Sequence, residues 1–319
     1  MINYYYSVTY SRTYVGLFLK EILCYTDGMI KQGLFEMSEN HEEIWKINFK
    51  FTVIGNPILH SKSPWIHSRF AAQFAGLNVD YSKTESPLDA FPQTVFVFRD
   101  SGGNGANVTM PFKEQAYKLC DTHSERAQIA KAVNTLKFMD NGAIYGDNTD
   151  GIGFIRDVQH NHDYVLTGKR VLLLGAGGAT RGLLYPLLQT KPHSVVIANR
   201  TLIKAQRLAD EFRQYGNIEA KDFKALEAEF DVMIDCTPFN SWPLPIAKNI
   251  FQNCALVYDL KYSDKPTPIL LQAADYGVKQ CLDGFGMLVE QAAESFTLWT
   301  SFKPNTAIVL DEYKAITDA

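Results

Sequence analysis

The stretch from residue 171 to 204, VLLLGAGGATRGLLYPLLQTKPHSVVIANRTLIK, constrains this chain more than any other. An apolar run, Val171 to Leu174, breaks into Gly175-Ala176-Gly177-Gly178, and a helical pattern follows with Leu183, Leu184, Leu187 and Leu188 on one face. A second apolar run, Val195 to Ala198, ends on Asn199-Arg200-Thr201. Strand, glycine turn, helix and strand in that order form one βαβ unit, whose turn lets a pyrophosphate approach backbone N–H groups at a helix N-terminus. Thr180 stands where the G-x-G-x-x-G pattern has its third glycine. The end of the second strand says more. An NAD site usually places Asp or Glu there for the ribose 2′-hydroxyl, whereas this chain has Arg200, with Lys204 one turn on, a pair suited to a 2′-phosphate. The unit predicts NADP held by Gly175, Ala176, Gly177, Gly178, Ala179, Asn199, Arg200, Thr201 and Lys204; a tight turn that merely packs a helix on a sheet is the alternative.

A chain of 319 residues is long enough for two domains with separate cores. Its 46% hydrophobic and 21% charged residues describe a globular protein, and a net charge of −4 offers no general attraction to nucleic acid or anionic membrane. The five cysteines are widely spaced with no C-x-x-C, which argues against a disulfide framework or a zinc knuckle and fits a reducing cytoplasm. No metal site is expected, since the histidines lack ligand spacing; His160 and His162, flanking Asn161, read as solvated. No apolar run approaches a membrane span. The expected partner is a small molecule, and the chain a monomer or homodimer.

Residues 1–47 differ from the rest. Their tyrosine-rich opening lacks the basic start, long apolar core and cleavage site of a signal peptide. They read as an appendage outside the main fold, with Met29 and Met37 as alternative starts, or else as a helix docked on the surface.

From Phe51 onward strands and helices alternate. Strands are predicted at Phe51–Ile54, Ala106–Met110, Val232–Asp235 and Ala255–Leu260, and a hairpin joins Ala132–Phe138 to Ala143–Gly146 around Asp140-Asn141-Gly142. Helices are predicted at Pro64–Phe74, Pro111–Leu119, Thr149–Val158, Met287–Trp299 and Asn305–Ile316. The pattern is α/β with parallel sheets. About 150 residues of the chain precede the Rossmann domain, so a second domain comes before it.

That first domain carries a dense polar set. Ser61 and Ser63 lie where a strand hands over to a helix, and Ser63 before Pro64 equally suits an N-cap. Asn107 and Thr109 alternate with apolar neighbours and so leave one face of a strand. Lys113 follows in a first helical turn, where the dipole disfavours positive charge; it is either functional or solvated. Ala132-Val133-Asn134-Thr135 is echoed by Gly146-Asp147-Asn148-Thr149-Asp150-Gly151, where Asp150 by itself reads as a helix cap before a catalytic acid.

The motifs VIGNPILHSKSP, GANVTMPFK, AVNTL, GDNTDG, GAGGATR, ANRT, YDLKY and DGFGMLVEQAA, in this order between about residues 53 and 300, closely resemble the shikimate dehydrogenase family. The resemblance implies NADP-linked reduction of 3-dehydroshikimate to shikimate, in aromatic amino-acid biosynthesis. It also implies a discontinuous substrate domain to which the last helices return. The implied domains are an appended segment at 1–47, the first part of the substrate-binding domain at 48–150, an NADP-binding Rossmann domain at 151–284 and returning C-terminal helices at 285–319. By motif, Ser61, Ser63, Asn107, Thr109, Asn134, Asp150 and Gln291 contact substrate, Tyr262 and Gly284 lie where substrate meets nicotinamide, and Lys113 with Asp150 is the catalytic pair. The residue types agree: Ser, Thr, Asn and Gln supply short donors and acceptors for a polyhydroxylated ring, and a lysine beside an aspartate can donate a proton to a ketone oxygen.

Two departures stand out. Asp235-Cys236-Thr237-Pro238-Phe239-Asn240 replaces an Asn-Ala-Thr-Ser type turn, and Pro238 removes a backbone N–H. Lys261 in YDLKY stands where an apolar residue is usual and adds charge near the cleft. A quinate/shikimate oxidoreductase of the same fold is the nearest alternative function. A non-catalytic sensor of shikimate-pathway metabolites would not need Lys113 and Asp150, and a SAM-dependent methyltransferase would leave Arg200 and Lys204 unexplained.

Overall fold

A computed structural model describes residues 47–317 apart from 228, 239–242 and 264. The expectations about residues 1–46 lie outside the described residues. Ile47 and Asn48 belong with Gly76–Asn78 to a small unit, in which the Ile47 N–H donates to the Gly76 carbonyl at 2.8 Å. The larger unit runs through Phe49–Ala75 and from Val79 onward.

The order is β1 (Ile47–Gly55), α1 (Ser63–Ala71), β2 (Leu77–Glu85), α2 (Phe91–Asp100), β3 (Gly105–Val108), α3 (Lys113–Leu119), β4 (Thr122–His123), α4 (Glu125–Ala130), β5 (Thr135–Phe138), β6 (Ile144–Asp147) and α5 (Asp150–Arg156). The second half follows as β7 (Arg170–Leu174), α6 (Gly178–Gln189), β8 (Ser194–Ala198), α7 (Leu202–Phe212), β9 (Ile218–Lys221), β10 (Val232–Asp235), β11 (Leu256–Asp259), α8 (Pro268–Asp275), β12 (Gln280–Leu282), α9 (Phe285–Thr300) and α10 (Thr306–Thr317).

Two six-stranded sheets result. The first, β2-β1-β3-β5-β6-β4, is mixed: β1 pairs parallel with β3, and β5 antiparallel with both β3 and β6. The second, β12-β11-β10-β7-β8-β9, is parallel throughout. Read from β9 to β12, its order is that of a Rossmann domain, and strand order reverses between β7 and β10. Its strands are buried on both faces, with Leu173 and Ile234 under α6 and Leu172 and Met233 on the other side. Helix α9 packs on α5, α1 and β5, returning the chain's end to the first half.

The predicted hairpin forms, with Phe138 opposite Ile144 and Gly142 at φ +82°, a conformation glycine adopts without strain. Several boundaries differ. The strand expected to reach Met110 ends at Val108, because residues 109–112 close a turn in which Phe112 N–H bonds the Thr109 carbonyl at 3.0 Å. Helix α1 ends at Ala71 rather than Phe74, and Lys62, not Ser63, is its N-cap. Ser63 is already helical, and its own N–H donates to the Ser61 hydroxyl at 3.3 Å. The helix expected at Thr149–Val158 starts at Asp150 and passes into a π turn at Asp157–Asn161. There the Asn161 amide bonds the buried Asp157 carboxylate at 2.9 Å, and His162 Nε2 lies 3.7 Å from it, half-buried instead of solvated.

Candidate active site

The carboxyl-terminal ends of β3 and β6 converge on the amino-terminal start of β5. Parallel pairing of β3 to β1 and antiparallel pairing to β5 set Asn107 opposite Thr135, and β6 delivers Asn148, Thr149 and Asp150 into the start of α5. Lys113 Nζ donates to Asp150 Oδ2 at 2.6 Å; the aspartate side chain is 3% exposed and the lysine side chain 22%, so the ammonium is the member that faces outward. The other carboxylate oxygen accepts from the Asn134 amide at 2.8 Å. The same amide nitrogen lies 2.9 Å from Gln291 Oε1, and Asn134 Oδ1 accepts from the Thr149 N–H at 2.9 Å. Lys113, Asp150, Asn134 and Gln291 thus form one hydrogen-bonded cluster drawn from α3, α5, β5's entry and α9. Asp150 is no cap by its side chain, because Thr149 holds the N-cap position and the carboxylate turns to Lys113. Lys113 is no solvated lysine either: its carboxylate partner offsets the unfavourable helix dipole.

Asn107 joins through its amide, 3.1 Å from Ser295 Oγ and 3.2 Å from the Asn134 carbonyl. Thr109 leaves the same face, half-buried like Asn107, between buried Val108 and exposed Met110. Tyr81, on β2, donates to Asn107 Oδ1 at 2.7 Å. Burial pushes its phenol up while the Ser63 hydroxyl acts against this, so Tyr81 links the Ser61/Ser63 pair to Asn107. The Ser61 hydroxyl donates to Ser63 Oγ at 3.2 Å. His67, one turn along α1 from Ser63, stacks on the Tyr81 ring with centroids 4.2 Å apart; burial pushes it down to about 3, so the ring is neutral. Tyr262 reaches over from the second sheet. Burial raises its phenol, and the Lys62 N–H and ammonium oppose this, which places it against the Ser61–Ser63 turn. Gly284 N–H donates to the Lys261 carbonyl at 3.0 Å, and a Cβ at Gly284 would collide with the Leu260 carbonyl.

The sequence reading missed Tyr81, His67 and Ser295. β2 carried a signal, since half-buried Leu77, Val79 and Tyr81 alternate with exposed Asn78, Asp80 and Ser82, whereas Ser295 shows only as the residue four after Gln291, on the same face of α9. His67 carried a signal, since it sits four residues beyond Ser63.

A charged network braces this cluster from behind. Arg126 bonds Asp147 through its Nε at 2.8 Å and Glu294 at 2.9 Å, and Arg156 bonds Glu294 at 2.6 Å. Burial alone would raise the Asp147 carboxyl, but Arg126, the Ser124 hydroxyl and the Asn148 N–H together hold it below its ordinary 3.8. A depressed carboxyl contributes stability above its unfolded pKa, and this contribution disappears as pH falls through the folded value. Asp147→Asn is therefore expected to be less stable than wild type at pH 7, with the gap closing below pH 3.8. Thermal melts followed by far-UV circular dichroism across that range check it; a gap independent of pH would contradict the assignment.

On the second sheet, Gly175 ends β7 at φ +100°, Gly177 caps α6, and Gly178 opens it. A Cβ at Gly177 or Gly178 would meet nothing within 4 Å, so the space beside the start of α6 is open, with Ala176 and Ala179 flanking it. Thr180, in place of the third glycine, donates its hydroxyl to the Gly175 carbonyl at 2.8 Å and holds the turn closed. Arg181 pairs with Glu211 at 2.7 Å and ties α6 to α7. The Asn199 amide donates to the Thr201 carbonyl at 2.9 Å, shaping the bend after β8. Arg200, Thr201 and Lys204 are exposed there, and among the described residues neither cation has an ion-pair partner. An open N-terminal helix turn and two uncommitted cations at the strand end fit the pyrophosphate and 2′-phosphate of NADP. The two halves meet where α5 packs on α6: a Cβ at Gly182 would lie 3.2 Å from Asp150 Oδ2.

The chain matches three family models: the shikimate dehydrogenase substrate binding domain over residues 53–136, shikimate/quinate 5-dehydrogenase over 157–249, and the shikimate 5′-dehydrogenase C-terminal domain over 284–312. It is 48% identical over 268 residues to the shikimate dehydrogenase (NADP(+)) of Nitrosomonas eutropha, covering 83% of this chain and 96% of the relative. This chain belongs to the shikimate dehydrogenase family. The shikimate dehydrogenase (NADP(+)) of Chromobacterium violaceum is 46% identical, over 84% of this chain and 98% of its own. Among solved structures, an Ael1 enzyme from Pseudomonas putida is 43% identical with a TM-score of 0.77, covering 83% of this chain and 97% of its own. A shikimate 5-dehydrogenase from Thermus thermophilus, solved with NADP(H) and shikimate, is 32% identical with a TM-score of 0.72, over 81% of this chain and 96% of its own. The family's two-domain α/β fold, Rossmann sheet included, is the one described above. Among the described residues no helix is long and apolar enough to cross a membrane.

Proposed function

We propose that this chain reduces 3-dehydroshikimate to shikimate with NADPH, in aromatic amino-acid biosynthesis. The observation that carries the reading is the Lys113–Asp150 pair at 2.6 Å, with its ammonium facing out of a cluster of amides and hydroxyls. NADPH supplies the hydride. Lys113 gives the ketone oxygen its proton; in the reverse direction the neutral amine takes it back. Asp150, fixed by Asn134, keeps the Lys113 side chain aimed. Ser61, Ser63, Asn107, Thr109, Asn134, Tyr262 and Gln291 hold the ring's carboxylate and hydroxyls in place, so that binding energy is spent on orientation. Gly175 through Ala179, Asn199 through Thr201, Lys204 and Gly284 hold the nucleotide. The metabolite-sensor reading leaves the Lys113–Asp150 pair without a task.

The division follows from the same reading: residues 48–150 and 285–319 form the substrate domain, 151–284 the nucleotide domain, and 1–47 an appendage. The protein works in the cytoplasm on a small molecule, without nucleic acid or membrane, as a monomer or homodimer. Quinate chemistry is the second reading, favoured by the shikimate/quinate description of the matched central model. Loss of NADPH absorbance with 3-dehydroshikimate, and then with 3-dehydroquinate, tests both; turnover of neither sinks the proposal. A chain beginning at Lys46 is expected to keep kcat and KM near those of the full chain, because the sites proposed here lie beyond it. Abolished turnover of that chain would make the segment part of the fold.

A further inference from the structure

Two buried carboxylates and a largely buried ammonium meet at the carboxyl ends of β10 and β11, and the mechanism above uses none of them. Asp235 and Asp259 stand directly opposite each other in the parallel register, with side chains 3% and 0% exposed. Like charges in that position repel. The Lys261 ammonium lies between them, 2.7 Å from Asp235 Oδ2 and 2.8 Å from Asp259 Oδ1, and its third bond goes to the Thr237 carbonyl at 3.0 Å. Its donors are therefore all used. The remaining acceptors are used too: Asp235 Oδ1 takes the Thr237 N–H at 2.9 Å and its hydroxyl at 2.6 Å, and Asp259 Oδ2 takes the Thr267 hydroxyl at 2.6 Å. Burial alone would lower Lys261, but Asp235 and Asp259 hold its ammonium above the ordinary lysine range, so it stays charged. The charge anticipated near the cleft is thus paired with two carboxylates at the strand ends.

Well-packed apolar residues usually do as well as a buried ionic triad for stability. What this triad adds is a connection. Thr237 belongs to the turn after β10, across the point where strand order reverses, and its methyl would lie 3.3 Å from a Cβ at Gly175. Lys261 belongs to the turn after β11, which carries Tyr262, and its carbonyl holds the Gly284 N–H at 3.0 Å. One ammonium therefore ties together the turns after β10 and β11, and the backbone carbonyl of the same residue adds Gly284, at the strand ends where such sheets bind their ligands.

We propose that Lys261 is a positioning residue: with Asp235 and Asp259 it clamps the Thr237–Pro238 turn against the β11 turn and so shapes the seat for the nicotinamide half of NADPH. The clamp takes over the work of a turn in which Pro238 has no N–H to offer. This inference rests on the NADP reading above. Lys261→Met is expected to weaken NADPH binding about tenfold, roughly 1.4 kcal/mol, with KM for NADPH rising in parallel and KM for 3-dehydroshikimate changing less than twofold. Binding is read directly from nucleotide fluorescence, so a wild type that binds NADPH yet turns over nothing would sink the functional reading and leave the clamp measurable. Lys261→Met leaves two facing carboxylates unpaired, so Asp235→Asn/Lys261→Met is made beside it. The double variant should regain most of the lost melting temperature while NADPH affinity stays weakened. Wild-type NADPH affinity in the double variant, or equal rises in both KM values, would mean that the triad only supports folding, and the proposal would fail.

Discussion

Lys113→Ala is expected to lower kcat by on the order of 10²–10⁴, the usual worth of a placed acid–base group, while KM for the shikimate ring should change far less. The asymmetry follows from the geometry. Among the ring contacts proposed above, Ser61, Ser63, Asn107, Asn134 and Gln291 make hydrogen bonds to one another and to the backbone that do not pass through Lys113. Asp150→Asn should be similarly harmful, because it removes the carboxylate that holds the ammonium at 2.6 Å. The double variant should lose little more than either single one, as groups acting as a unit do. Steady-state kinetics of the three variants, with circular dichroism to show that each is folded, check this. A Lys113→Ala enzyme near the wild-type rate would place the proton donor elsewhere.

Arg200→Ala/Lys204→Ala is expected to lose about 10²–10³ in kcat/KM with NADPH and hardly change with NADH. Each charge-assisted contact to the 2′-phosphate is worth roughly 1.5–3 kcal/mol, and a guanidinium can meet two phosphate oxygens at once. Both side chains are exposed beyond β8, and among the described residues neither is engaged in an ion pair, so their removal takes no support from the fold. Arg181, by contrast, is committed to Glu211 and is unsuited to the task. Comparing kcat/KM for the two cofactors in wild type and variant is the measurement. Equal losses with both would mean that the residues support structure, and the assignment of the ribose site would fail.

Much of this protein can be read along its chain. The run Val171–Leu174, the glycine turn, the leucine face of α6 and Arg200 after β8 are neighbours in sequence, so periodicity and turn chemistry suffice to find them. The same holds for the hairpin at Asp140-Asn141-Gly142 and for Asn107 and Thr109 on one strand face. Motif resemblance then assigned Lys113 and Asp150 to one site. Sequence spacing could not say that their side chains would touch, because 37 residues separate them and only the pairing of β3, β5 and β6 closes that gap.

The supporting residues needed the tertiary structure. Tyr81 shares the half-buried face of β2 with Leu77 and Val79, which marks a strand but not a task; it matters only because β2 sits beside β1 and sends its hydroxyl to Asn107. Lys261 read as a stray charge until the register of β10 and β11 set Asp235 opposite Asp259 and left room for one ammonium between them. A local pattern shows which face of an element is apolar. Which polar group meets which across two sheets depends on strand order and register, and those follow from how the whole core packs.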